Sequence, residues 1–170
     1  MARSTFSGPI RSLSGVYSTG PNVVVNVANG TNTLSLTVAD HAGRIIKTND
    51  ASLVLTLPTI SASTTDTGDT ANNCGAVFTI FIETAATAVS IATDGTDKYV
   101  GSVLMLDTDA PAAGIGYVPA AANDFINLNG TTTGGAAGSW VRITALTTAK
   151  YFVEGVLLGS GAVATPFADA

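Results

Sequence analysis

The clearest alternation of apolar and polar residues lies between residues 75 and 106, and it predicts the centre of the fold. Side chains two residues apart point the same way in a strand, so one face of the first predicted strand would carry four apolar side chains. These are Ala76, Phe78, Ile80 and Ile82. The opposite face is also largely apolar, which predicts a strand between two layers. Val89 and Ile91, and then residues 99–106, continue the pattern after short polar turns, so the stretch predicts three strands paired as a meander.

Shorter alternating segments lie on both sides of this stretch. Residues 22–27 and 33–38 flank Asn29-Gly30, a dipeptide that favours tight turns, and they predict a hairpin. Residues 107–123 are rich in proline, glycine and alanine, and we expect a surface excursion with little regular structure. The remaining predicted strands are residues 44–48, 53–57, 124–129, 140–145 and 149–158.

Nine or ten short strands, separated by glycine and asparagine and without a convincing amphipathic helix, predict an all-β fold. The fold class is a β-sandwich, a jelly-roll-like domain or a barrel-like domain. A chain of 170 residues is long enough for one domain with a core and short for two. We therefore expect a single β domain over residues 22–158.

The two ends of the chain differ from this domain. Residues 1–21 are punctuated by glycine and proline but carry isolated large apolar residues, which predicts an extended N-terminal arm that becomes ordered on a neighbour. A frayed terminus is the alternative. Residues 159–170 are glycine-rich and predict a flexible tail with an apolar tip. The predicted contacts to a partner or a neighbouring subunit are Phe6, Ile10, Leu13, Val16, Tyr17 and Phe167.

The composition is low in charge. Hydrophobic residues make up 46% of the chain and charged residues only 11%, about half the usual share. Such a neutral, hydroxyl-rich surface is typical of proteins that lie against copies of themselves or another protein, although ordinary soluble β domains can share it. Seven scattered basic residues and a net charge of −5 argue against direct nucleic-acid binding. No apolar run approaches the roughly 18 residues of a membrane span, and the first residues lack a signal-peptide core.

The residues that could carry chemistry are few, and we expect no catalytic, cofactor-binding or metal-binding residues. His41 is the only histidine and fits a surface turn. Glu83 and Glu154 are the only glutamates and could form a glycosidase pair only if they faced each other across a cleft. Trp140 fits a core position better than a sugar-stacking platform. Cys74 is the only cysteine, so an intramolecular disulfide is excluded.

Several short motifs, spread over about residues 40 to 168, give the chain a recognisable resemblance. They are Gly43-Arg44-Ile45-Ile46, Leu55-Thr56-Leu57-Pro58, Gly75-Ala76-Val77-Phe78-Thr79-Ile80, Asp94-Gly95-Thr96-Asp97-Lys98 followed by Gly101, Asp124-Phe125-Ile126-Asn127-Leu128-Asn129-Gly130, a Gly-rich turn leading to Trp140, and Gly161 to Thr165-Pro166-Phe167. In these the sequence resembles small virion structural proteins of tailed bacteriophages, particularly marine and cyanobacterial phages. Such chains are similar to capsid decoration (cement) proteins and to some head or tail fibre modules.

The resemblance implies a non-enzymatic role in the virion. The expected protein is a decoration protein that binds the outer surface of the mature head, with the major capsid protein and further copies of itself, as a homotrimer, as partners. It would be assembled in the host cytoplasm. The alternative is a fibre or receptor-binding module for host glycans, with Tyr117 and Trp140 as candidate contacts. An enzyme acting through Glu83 and Glu154 is the least favoured hypothesis.

Overall fold

The computed structural model describes residues 24–62, 72–109 and 113–169. In these ranges the chain forms twelve strands and one short helix. In chain order they are β1 (Val24–Val27), β2 (Thr33–Ser35), α1 (Val38–His41), β3 (Ile45–Thr48), β4 (Ser52–Thr56), β5 (Val77–Ile82), β6 (Ala88–Ala92), β7 (Lys98–Asp107), β8 (Ala113–Tyr117), β9 (Phe125–Leu128), β10 (Trp140–Thr147), β11 (Lys150–Gly159) and β12 (Phe167–Ala168). Within the same ranges there is no helix long and apolar enough to cross a bilayer.

The strands form two mixed sheets. The larger sheet has seven strands in the order β1-β3-β5-β10-β11-β7-β8, and the smaller has five in the order β12-β9-β6-β4-β2. Both sheets contribute to one buried apolar cluster. The predicted all-β fold is confirmed, in its sandwich form.

The core consists of the inward side chains of both sheets. Phe78 and Ile80 of the larger sheet and Leu53, Leu55 and Ile91 of the smaller one are fully buried, as the period-two alternation of their strands requires. Each buried aliphatic side chain contributes about 1.5–3 kcal/mol relative to an exposed one. The alternation predicted from the sequence grouped Phe78 and Ile80 on one face of β5, and this face points into the core. The prediction that β5 lies between two layers is wrong, because no described residues form a layer over its other face.

Two buried tyrosines cross-link the core through their hydroxyl groups. Tyr99 Oη donates to the carbonyl oxygen of Ile91 at 3.1 Å, and Tyr151 Oη donates to the carbonyl oxygen of Pro58. Burial raises the pKa of both phenols, because the charged phenolate would lose its water. Both groups therefore remain protonated donors, which keeps buried carbonyl oxygens satisfied.

The predicted hairpin between residues 22–27 and 33–38 is wrong. β1 pairs in parallel with β3 in the larger sheet, whereas β2 pairs in parallel with β4 in the smaller one. The intervening turn carries the chain between the sheets. Asp50, which is not part of this turn, accepts hydrogen bonds from the backbone N–H groups of Asn32 and Ser52 at 2.8 and 3.0 Å. These two hydrogen bonds hold the pKa of Asp50 below its usual value.

The predicted meander is wrong for a related reason. β5 and β7 belong to the larger sheet but β6 belongs to the smaller one, so three consecutive strands cross the sandwich twice. The first crossing is held by the carbonyl oxygen of Ala51, which accepts from the N–H groups of Thr87 and Ala88. Residues 113–117, expected to be irregular, form β8 and pair antiparallel with β7.

The C-terminal residues are tied to the sandwich. Phe167 is 5% exposed and its ring centroid lies 6.4 Å from that of Tyr99. Beside it, Lys98 Nζ contacts the carboxylates of Asp124 and Asp169 at 2.8 and 3.8 Å. The expectation that Phe167 is the apolar tip of a flexible tail, free to contact a partner, is therefore corrected, because this ring completes the core of its own chain.

Gly101 in β7 gives a test of the sheet geometry. Its φ is +112°, and a Cβ there would lie 2.2 Å from the carbonyl oxygen of Val153 in β11. We expect Gly101→Ala to lower the free energy of unfolding by about 2 kcal/mol or more, since it adds both strain and a clash. Gly116→Ala is the matched control, because a Cβ there meets nothing within 4 Å, and it should change stability by less than about 0.5 kcal/mol. Equal losses in urea unfolding would contradict this packing.

Candidate functional site

The larger sheet has an outward side that no described residue covers as a layer. We call its alternate, outward-pointing apolar side chains the outer face. Its members are Val24, Ile45, Val77, Phe81, Val100, Leu104, Leu106, Trp140, Phe152, Val156 and Leu158. Of the ten large apolar side chains that are exposed in the described ranges, six lie on this face. Single exposed apolar residues are ordinary, but a contiguous group of them marks an interaction surface.

The strand register joins these residues into continuous rows. Phe81 of β5 lies opposite Trp140 of β10, which lies opposite Val156 of β11, which in turn lies opposite Leu104 of β7. Neighbouring side chains in such a row are about 5 Å apart and touch one another. An apolar band therefore runs across four strands at right angles to the chain direction.

Glycines in β8 leave one end of this band open. Gly116 lies opposite Leu104, and Gly114 lies opposite Leu106, so no side chain of the edge strand shields the two leucines. Leu104 accordingly remains 42% exposed in the middle of a ten-residue strand. A depression of about 460 Å³ adjoins Leu106, Gly114 and Leu158, large enough to accept a bulky apolar side chain.

Charge on the outer face is arranged as internal pairs. Arg142 Nη1 lies 3.5 Å from Glu154 Oε1 on the neighbouring strand, and Lys47 Nζ contacts Glu83 Oε2 at 2.5 Å at the margin. Both pairs are largely exposed, so each contributes at most about 1 kcal/mol to folding. Their main consequence is that these four charged side chains balance one another, whereas Lys150, at an outward position of β11, is in no ion pair with a described residue.

The size of the outer face suits a protein partner. Seven strands spaced about 4.8 Å apart make the outer side of the larger sheet about 29 Å wide, and its strands are four to ten residues long. Stable interfaces bury about 800 Å² per partner, which is the scale of such a sheet side.

The predicted contact residues have different outcomes. Phe6, Ile10, Leu13, Val16 and Tyr17 lie outside the described residues, and so does the predicted arm over residues 1–21. Phe167 lies in the core. Trp140, expected in the core, is 37% exposed at the centre of the outer face. Tyr117 is half-buried and packs against the core cluster.

The two glutamates lie apart on the larger sheet, because Glu154 is level with Thr79 of β5, two strands away, and Glu83 is four residues beyond Thr79. Glu83 pairs with Lys47 and Glu154 pairs with Arg142, so each carboxylate has a cation rather than the other carboxylate beside it. An acid and a nucleophile of a glycosidase must flank one bond. The structure therefore does not bring Glu83 and Glu154 together as that hypothesis required.

His41 was expected in a surface turn but is buried at the end of α1. Its Nδ1 accepts the backbone N–H of Thr37 at 2.9 Å, and the Thr37 hydroxyl caps the same helix by accepting from the N–H of Asp40. This imidazole is thus part of a capping arrangement. The described ranges hold no group of three or more metal-ligating side chains.

The aspartates of the turn at residues 94–97 also accept backbone N–H groups. Asp94 Oδ1 accepts from the N–H groups of Thr96 and Asp97, and Asp97 Oδ2 accepts from the N–H of Ile60 at 2.8 Å. Burial raises the pKa of Asp97, since its carboxylate loses water. These carboxylates hold loops together.

A second surface cavity of about 460 Å³ lies at the ends of β7 and β11. Its walls combine Val100, Val118 and Pro119 with the side chains of Lys98 and Lys150. No carboxylate is among the described lining residues, and Lys98 is already paired with Asp124. The cavity therefore offers no acid–base pair.

Sequence reasoning missed the outer face, although a signal for it was present. The segments 99–106 and 150–158 have apolar residues at both odd and even positions, which a strand with one solvated side does not need. Leu104, Phe152 and Leu158 could have been found in this way.

Comparison of the chain with protein-family models, with curated proteins and with solved structures finds no match.

The outer face should be dispensable for folding, in contrast to the core-facing side of the larger sheet. Leu104 and Val103 are neighbours on β7, but Val103 is 1% exposed and points into the core. We expect Val103→Ser to lower the free energy of unfolding by about 3 kcal/mol, because it leaves a cavity and buries a hydroxyl. Leu104→Ser should cost about 1 kcal/mol or less. A loss for Leu104→Ser as large as that for Val103→Ser would mean that the outer face belongs to the core.

Proposed function

We propose that this chain is a non-enzymatic structural protein of a tailed-phage virion, a capsid decoration (cement) protein that binds the outer surface of the mature head. The observation that carries the proposal is the outer face, a continuous apolar band around Leu104 and Trp140 in which Arg142 and Glu154 pair with each other. The resemblance of the sequence to virion structural proteins supports the same role.

Permanent attachment suits such a surface. Apolar area removed from water stabilises a complex by about 25 cal/mol per Å², and paired charges such as Arg142–Glu154 leave no unbalanced charge to desolvate. A decoration protein is not required to release its partner, so it gains from an interface that is apolar and specific at once. The low content of charged residues, 11%, fits this requirement.

The proposed partners are the major capsid protein and further copies of this chain. A homotrimer presents three outer faces to symmetry-related capsid sites, and multivalent attachment multiplies modest single contacts. Residues 1–21, with Phe6, Ile10, Leu13, Val16 and Tyr17, extend the contact to neighbouring capsid subunits. The protein is then a component of the virion surface.

A binding assay on virus heads tests this role. DNA-filled heads that lack the protein are mixed with purified chain and sedimented, and bound chain is quantified. We expect Leu104→Ser with Leu106→Ser to weaken binding by about 30-fold or more, since each leucine contributes on the order of 1–2 kcal/mol when buried.

The matched control is Val54→Ser with Ile115→Ser. These residues are 38% and 39% exposed, but Val54 belongs to the smaller sheet and Ile115, which pairs with the buried Met105, points to the other side of β8, so binding should remain within about twofold of the unchanged chain. If both double variants bind like the unchanged chain, the outer face is not the capsid-binding surface.

A fibre or receptor-binding module for host glycans is the second candidate. The exposed position of Trp140 is the observation in its favour, because sugar rings stack on exposed indole groups. Under the decoration proposal, a glycan array probed with labelled chain should give no signal. Binding that is lost in Trp140→Ala and retained in Val118→Ala would favour the glycan module instead.

A further inference from the structure

A cleft lies beside the first residues of β7, where the neighbouring edge strand leaves the sheet. β8 pairs with β7 only as far as Tyr117, which lies opposite Val103. Residues 118–121 continue past the start of β7 without belonging to a strand. A cavity of about 460 Å³ lies between these two segments. This volume is within the range of about 300–1,000 Å³ that is typical of small-molecule sites.

The walls of this cleft are mainly apolar. Val100 contributes from β7, and Val118, Pro119 and Ala121 contribute from the segment that follows β8. Val118 is 71% exposed, more than any other exposed large apolar side chain in the described ranges. Covering such a side chain removes apolar surface from water, which favours a ligand with an apolar body.

Two lysines lie side by side in the lining of the cleft. Lys98 of β7 and Lys150 of β11 are register partners in parallel strands, so their side chains leave the same side of the sheet from backbones about 5 Å apart. Two ammonium groups at such a spacing repel each other, and an anion bound beside both of them removes this repulsion. The cleft therefore combines apolar walls with a site for negative charge.

The charges around the two lysines match one negative charge on a ligand. Lys98 Nζ donates to Asp124 Oδ2 at 2.8 Å, and this hydrogen bond raises the pKa of Lys98, so its ammonium group remains charged. Asp124 balances one cation, while Lys150 is in no ion pair with a described residue. The carboxylate of Asp169, 3.8 Å from Lys98 and largely exposed, disfavours a second negative charge. A carboxylate fits this balance better than a phosphate dianion.

We propose that the cleft between the start of β7 and residues 118–121 binds a small organic carboxylate. The apolar body of the ligand contacts Val100 and Val118, and its carboxylate lies at Lys150 with Lys98 beside it. The ligand joins β7 and β11 to the segment that follows β8, so it stabilises the folded chain by mass action. This inference does not rest on the proposed capsid role.

Octanoate and octanol are matched probes, since they share an alkyl chain and only octanoate carries the carboxylate. Each is titrated into the full chain, and the backbone amide resonances are followed by two-dimensional NMR. We expect octanoate to shift the amides of Gly101 and Ala121 in a saturable way, with a dissociation constant on the order of 1 mM. Octanol should bind at least about tenfold more weakly, because it leaves the lysines without an anion.

The decisive variant is Lys150→Gln, which removes one positive charge and breaks no ion pair with a described residue. It should weaken octanoate binding by about fivefold or more, whereas Lys150→Arg should remain within about twofold of the unchanged chain. Arg44→Gln is the matched control, because it removes one positive charge next to β3, away from the cleft. It should bind octanoate like the unchanged chain.

Four results would overturn the inference. The first is the absence of saturable shifts up to about 20 mM octanoate. The second is equal binding of octanoate and octanol, and the third is a Lys150→Gln variant that binds no more weakly than Arg44→Gln. The fourth is a set of shifts centred on Leu106 and Gly114, which would place the probe in the other depression. Capsid binding, measured separately on virus heads, can hold or fail in each case.

Discussion

The structure depends on the burial of one side of each sheet against the other. Phe78 and Ile80 from the larger sheet meet Leu53 and Leu55 from the smaller one, and this single apolar layer stabilises the sandwich. Burial of this layer uses only the inward residues of each strand. The outward positions are not needed for core packing, so the residue types at these positions indicate what this surface contacts. On the larger sheet they are Leu104, Trp140 and their neighbours rather than charged residues.

The few charged residues of the chain leave the outer face mainly apolar, because most of them have local structural roles. Acidic side chains that do occur are mostly used locally: Asp50 and Asp94 accept backbone N–H groups at turns, and Glu154 pairs with Arg142. The outer face is left nearly neutral. Such a surface is costly for a free protein in water and favourable in an interface.

The sequence predicted the fold class and the inward faces of the strands, because alternation along one strand is a local property. It did not predict which strands pair. The Asn29-Gly30 turn looks like a hairpin turn, yet β1 and β2 pair with different strands in different sheets, and the Asn32 N–H next to the turn is bound by Asp50, about twenty residues away. Trp140 was misplaced because a tryptophan in an alternating strand fits either face of the sheet. Which face it takes depends on the neighbouring strands, which the sequence of β10 alone does not identify. Phe167 was misplaced because glycine content indicated a flexible tail, whereas contact with Tyr99 determines its position.

The most direct test of this account is a cryo-electron microscopy map of mature heads at side-chain resolution. The account predicts that this chain lies on the outer capsid surface with Leu104, Leu106 and Trp140 buried under density of a capsid or sister subunit. A map in which the chain is attached through another surface, and the outer face is open to solvent, would contradict it.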